Sequence, residues 1–250
     1  MRASARSSRS ARRASPATDV GAIETLPVDP RAALTGAYRA TTAFVDELDQ
    51  SGWSRNTRCE GWTAQDLLYH QLLDAQRALR TFASPAEQPC DVDFVTYWHD
   101  YGQDQDADDA AAHAEFVRRS AAAFPSARSL LGLWEETARA AGYAAGRANL
   151  GALVATQGHV LTAGDFLATV VTEAAIHHLD LTPERMADAG WTPVAALTVA
   201  SLTLDGLLGR ARPIPWTDAE YVLRGTGRVA LAKDERSRLG SLAVRFPLIT

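Results

Sequence analysis

The stretch Ala163–Leu181, AGDFLATVVTEAAIHHLDL, constrains this chain more than any other. Phe166 and Val170 recur at the spacing of one helix face, and the same stripe continues with Glu173 and His177 where a core would place apolar residues. An uncompensated carboxylate is expensive to bury, so an inward glutamate calls for a cation, a strong hydrogen-bond partner or a metal. Residues four apart on a helix are neighbours. Glu173 and His177 can therefore grip one ion together, and a third ligand has to come from elsewhere. His178 points about 100° away around the helix axis and shares that face poorly. Asp180, three residues after His177, is either an orienting partner for that imidazole or a solvent-facing residue of the last turn.

The remaining chain supplies helices for this one to pack on. An amphipathic pattern runs from Pro30 to about Gln50, with Leu34, Tyr38, Val45 and Leu48 near one face and Arg39, Asp46 and Asp49 left for solvent. A Gly/Ser/Asn-rich loop ends it. Thr63 then opens a second helix, with Asp66 three residues on as the carboxylate of a capping box and Leu68, Leu72, Ala75 and Leu79 as its apolar stripe. Pro85 and Pro89 close that helix. An aromatic connection follows, with a short helix expected around Phe94–Tyr101, and Ala107–Phe124 reads as a third helix broken by Pro125. Ser126 caps its continuation to about Ala148. GALVATQGHVLT then reads as a small hairpin or irregular turn around Gln157-Gly158, leading into the Glu173 helix. Beyond Pro183 a further helix is expected at Pro193–Leu208, before a proline-punctuated end.

The expected fold is mainly α, a four-helix bundle with one long crossover connection and a small, mostly helical C-terminal extension. Residues 1–26 read as a disordered basic tail, 27–182 as the bundle and 183–250 as the extension packed on it. Metal sites in such bundles are built from inward side chains on facing helices.

Composition narrows the function classes. The formal net charge is −5 and the pI about 5.7, which argues against a nucleic-acid binder. No run approaches the roughly 18 consecutive apolar residues of a membrane span. Cys59 and Cys90 cannot build a disulfide framework and lack the paired spacing of a cysteine zinc site, so a reducing cytoplasm is the expected location. The arginine-rich opening residues complete neither a secretory nor a twin-arginine signal.

His70 is the natural third ligand, mid-helix beside Leu67 and Leu73. One glutamate and two histidines suit zinc or a similar divalent ion with an open position. The spacing alone leaves a metal site and a satisfied core histidine both open. Three other patterns carry less. Asp104, Asp106, Asp108 and Glu115 fall in a calcium-loop register, but its glycine position is Asp109, so these acids are expected to favour a helix N-terminus instead. Gly225, Gly227 and Arg228 form RGTGR with no strand before it and no Lys-Ser/Thr after it, a poor nucleotide loop. Cys59 has no base beside it in sequence and reads as a buried thiol.

Two stretches together carry a family resemblance. TRCEGWTAQDLLYH resembles the signature around the first metal histidine of the mycothiol-dependent maleylpyruvate isomerase N-terminal family, a branch of the DinB-like bundles. LTAGDFLATVVTEAAIHHLDL is similar to the second signature of that family. The resemblance implies metal ligands at His70, Glu173 and His177, a helix start at Gly61, Trp62 and Asp66, and a trailing acid at Asp180. It also implies a divalent metal, most often zinc, and mycothiol as cosubstrate. In the isomerase an arginine of the C-terminal region serves the substrate, and Arg228 is the candidate match as an anion clamp.

The expected activity is a metal-dependent enzyme that activates mycothiol for S-transfer or thiol exchange onto an electrophile. The alternatives are cis-trans isomerisation of a maleylpyruvate-like diacid and a non-catalytic ligand-binding bundle. Expected partners are the small-molecule thiol and its electrophile, without nucleic acid or membrane, in a monomer or homodimer.

Overall fold

A computed structural model describes residues 26–99, 107–182 and 193–249. Helix α1, Pro30–Asp46, starts where the Asp29 carboxylate accepts from Arg31 N, with Pro30 preset for the first turn. It stops short of the expected Gln50. Asp49 accepts from Gly52 N at 2.7 Å and starts a separate single turn, α2, Gln50–Trp53. Helix α3, Ala64–Phe82, begins on the anticipated Thr63/Asp66 capping box. The expected stripe is buried at Leu68, Leu72 and Ala75, while Leu79 is half-buried and Ala78 fills the interior.

In the connection after α3 the expected helix is a 3-10 turn, Thr96–Trp98, and its positions from 100 to 101 lie outside the described residues. Helix α4 spans Ala107–Ala122, and α5 spans Ala127–Arg147 behind a Ser126/Ser129 capping box. Strands β1, Leu153–Thr156, and β2, His159–Thr162, form the hairpin. Gln157 and Gly158 both have positive φ, 47° and 84°, which a two-residue primed turn requires. Helix α6 follows at Ala163–Leu181, then α7 at Val194–Leu208, α8 at Asp218–Gly225 and α9 at Lys233–Leu239.

The bundle consists of α1, α3, α5 and α6. Helices α1 and α3 lie diagonally opposite, each packed against both α5 and α6. Helix α4 covers α3, α7 lies along α1 and α6, and α8 packs on α7 and α6. As a result α6 is covered on every side, and His177 is its one residue that is not buried. A helix enclosed all round is the spine of the molecule, and its single opening lies at the candidate site.

The C-terminal segment reaches that opening through a close approach. A Cβ on Gly225 would meet the Leu204 side chain at 2.7 Å, so any larger residue there would have to displace that buried leucine. The Gly225 carbonyl accepts from Leu248 N at 2.6 Å and Ile249 N at 3.1 Å, which brings Ile249 to the site. Among the described residues no helix is long and apolar enough to cross a membrane.

Candidate metal centre

Helices α3 and α6 face one another with polar residues at matching intervals. His70 and Asp74 stand four apart on α3, and Glu173 and His177 four apart on α6. His70 Nε2 lies 3.1 Å from His177 Nε2 and 3.5 Å from Asp74 Oδ2. One ligand atom from each of His70, Asp74, Glu173 and His177 falls within 4.8 Å of the others. The three residues singled out in the sequence therefore come together, and Asp74 joins them. Its signal was available: it follows His70 as His177 follows Glu173.

Arg77, one turn further along α3, is the second residue that sequence reasoning missed. Its Nη2 lies 3.0 Å from Glu173 Oε1 and 3.2 Å from Asp74 Oδ1. Its Nη1 reaches Tyr97 Oη at 3.1 Å and the Gln157 side chain at the hairpin turn. The cation demanded by the buried Glu173 is thus present within the protein. Glu173 stays below the usual carboxylate range although burial opposes its ionisation, because Arg77 and a hydrogen bond from Asp74 favour the charged form. Burial and the neighbouring Glu173 push Asp74 well above that range. With both acids ionised, two negative charges face one guanidinium and the cluster is one positive charge short.

The imidazoles are held ready to offer lone pairs. Burial, reinforced by His177, lowers His70 to about 3, so it is neutral at pH 7. His177 Nδ1 lies 3.1 Å from Asp180 Oδ2, a carboxylate that can only accept there, so Nδ1 donates and Nε2 faces the cluster. Asp180 is fully buried rather than solvent-facing. Burial opposes its charge, but the His177 hydrogen bond and Arg228 bring it down to about 2. His178 turns elsewhere, its Nδ1 3.4 Å from Thr41 Oγ1.

Arg228 lines the same cavity, yet its fork is directed at Asp180: Nε to Oδ1 at 3.2 Å and Nη2 to Oδ2 at 3.2 Å. As arranged here it anchors Asp180. Cys59 Sγ donates to Asp180 Oδ2 at 3.2 Å, and burial followed by the Asp180 charge pushes its thiol up, away from the thiolate. The cavity of about 280 Å³ is walled by Trp62, Trp98, Ile176 and Ile249 beside His70, Glu173, His177 and Arg228.

The weaker patterns resolve structurally. Asp104 and Asp106 of the calcium register lie outside the described residues, while Asp108 and Asp109 are exposed in the first turn of α4 and Glu115 pairs with Arg118. In RGTGR, Gly225 ends α8 and Gly227, at φ +73°, turns the chain.

These residues fit a divalent cation. Two imidazole nitrogens converge, the buried Asp74 Oδ2 lies 3.5 Å from one of them, and the two carboxylates, once ionised, exceed the single positive charge of Arg77. With metal–nitrogen bonds of about 2.0–2.1 Å, two ligands of a tetrahedron stand roughly 3.3 Å apart, close to the 3.1 Å between the two Nε2 atoms.

Residues 34–182 match the family model described as the mycothiol maleylpyruvate isomerase N-terminal domain. No curated protein and no solved structure matches the chain.

Proposed function

Since the chain belongs to the mycothiol maleylpyruvate isomerase N-terminal domain family, we propose that it is an enzyme using a divalent metal to activate mycothiol for S-transfer to an electrophile. His70, Glu173 and His177 would hold the metal, zinc in the first instance. The observation that carries this reading is the convergence of the His70 and His177 Nε2 atoms at 3.1 Å beside the buried Glu173.

When bound, the ion supplies positive charge that favours the thiolate form of an incoming thiol at neutral pH. The protein's own residues supply the rest. Asp180 holds the His177 proton on Nδ1, and Arg228 holds Asp180. Arg77 fixes the Glu173 carboxylate. Cys59 stays protonated, so the nucleophile comes from outside the chain. Trp62, Trp98, Ile176 and Ile249 form an apolar wall that keeps water from the sulfur and the reacting carbon.

Isomerisation of a maleylpyruvate-like diacid is the second reading, favoured by the presence of Arg228 in the cavity wall. It requires that guanidinium to leave Asp180 and take a substrate carboxylate. Transfer needs no such rearrangement and is the preferred reading.

Metal analysis of the purified protein and of His70→Ala, followed by parallel assays of mycothiol conjugation and diacid isomerisation, tests the proposal. Stoichiometric metal that His70→Ala loses, together with mycothiol-dependent product, is expected. A metal-free protein whose behaviour His70→Ala leaves unchanged would sink both enzyme readings and leave a ligand-binding bundle.

A further inference from the structure

We propose that Asp74 is a fourth protein ligand of the ion, making this a centre of two imidazoles and two carboxylates. The inference rests on the metal reading above and extends it to a residue that no comparison assigns.

Asp74 sits on the same face of α3 as His70, one turn on, so that each of the two facing helices brings an i, i+4 pair to one point. Its two oxygens have different surroundings. Oδ1 takes the Arg77 guanidinium at 3.2 Å, whereas Oδ2 is buried inside the cluster, with the Glu173 carboxylate as neighbour, and lies 3.5 Å from His70 Nε2. A carboxylate kept only to hold Arg77 would turn its second oxygen toward solvent, away from another acid. Here that oxygen points at the nitrogen that faces His177.

The charge count agrees. With a cation bound and both acids deprotonated as ligands, Asp74 and Glu173 carry two negative charges against the one of Arg77. A dication leaves the cluster with one positive charge, which a single thiolate neutralises. Without Asp74 as a charged ligand, an excess positive charge would remain buried after the thiolate had bound.

A fourth protein ligand changes which metal the site favours. Four protein donors plus a thiol exceed the four-coordinate habit of zinc, and imidazole with carboxylate suits ions that accept five or six ligands, such as iron, manganese, cobalt or nickel.

Cobalt(II) loaded into the full chain reports this directly through its visible spectrum. In Asp74→Asn the bands should intensify and shift as a ligand is lost, with cobalt affinity falling at least about tenfold. In Asp74→Cys a new sulfur-to-cobalt charge-transfer band should appear in the near ultraviolet, absent from the parent protein that carries the same Cys59. Cobalt bound with identical spectra in the parent and Asp74→Asn, and no new band in Asp74→Cys, would overturn the role of Asp74 while leaving the three-ligand site intact. Failure of the parent to bind cobalt would overturn both readings. Should the cysteine variant not fold, the near-isosteric asparagine variant decides.

Discussion

Arg77 Nη2 lies 3.0 Å from Glu173 Oε1, an ion pair between residues 96 positions apart that ties α3 to α6 at the candidate metal centre. Both side chains are largely buried, and Asp74 shares the same guanidinium. Removing one partner of such a pair strands the other charge in the interior.

Arg77→Ala should therefore destabilise the metal-free protein by about 3–5 kcal/mol, the range for breaking a buried ion pair. A divalent ion should recover part of that loss by supplying the missing positive charge. Urea unfolding with and without a chelator checks both statements, and an unchanged midpoint in chelator would contradict them.

Asp180 orients His177 and is itself held by Arg228. Asp180→Asn keeps the shape but removes the charge that favours the Nδ1 proton. Metal affinity should fall about 10–100-fold, as for other partners that orient a ligating histidine. Competition with a chromophoric chelator measures this, and a change below about twofold would assign Asp180 a purely structural role.

The Thr63 hydroxyl accepts from Asp66 N at 3.3 Å, and the Asp66 carboxylate accepts from Thr63 N at 2.9 Å. Because this box starts the helix that carries His70, Thr63→Ala should lower stability by about 1 kcal/mol. The urea midpoint should drop with no change in slope.

Asp218 links the C-terminal helices, accepting from Thr198 Oγ1 at 2.9 Å and pairing with Arg212. Burial opposes its charge, but the Arg212 and Thr198 hydrogen bonds hold its carboxyl below the ordinary 3.8. A depressed folded-state value means the contribution is complete above the unfolded-state value and is lost as pH falls through the folded one. Asp218→Asn should thus be less stable than the parent at about pH 6.5, with the gap closing as the solution is acidified below about pH 4. Urea midpoints of the two proteins along that pH series provide the check, and a gap independent of pH would contradict it.

Much of the fold and part of the site were legible in the chain itself. Local chemistry starts α3 at Thr63/Asp66 and α5 at Ser126, and hairpin geometry follows from Gln157-Gly158. These rules operate over a few residues, so they can be read without knowing the fold. The same holds for the i, i+4 pairing of Glu173 with His177 and for His70 as the mid-helix candidate to join them, which the family resemblance also implied. Tertiary structure alone decided the rest. Asp74 repeats the i, i+4 spacing on α3, but that it and Arg77 are buried partners of Glu173 is set only when α3 is rotated toward α6. Arg228, 48 residues from Asp180, could be placed near the site but not matched to its carboxylate partner. The full enclosure of α6 required α7 and α8 to pack on it in addition to α1 and α3. Periodicity states that a helix has an inner face. Which charges meet across that face depends on the rotation and packing of helices that sequence spacing does not encode.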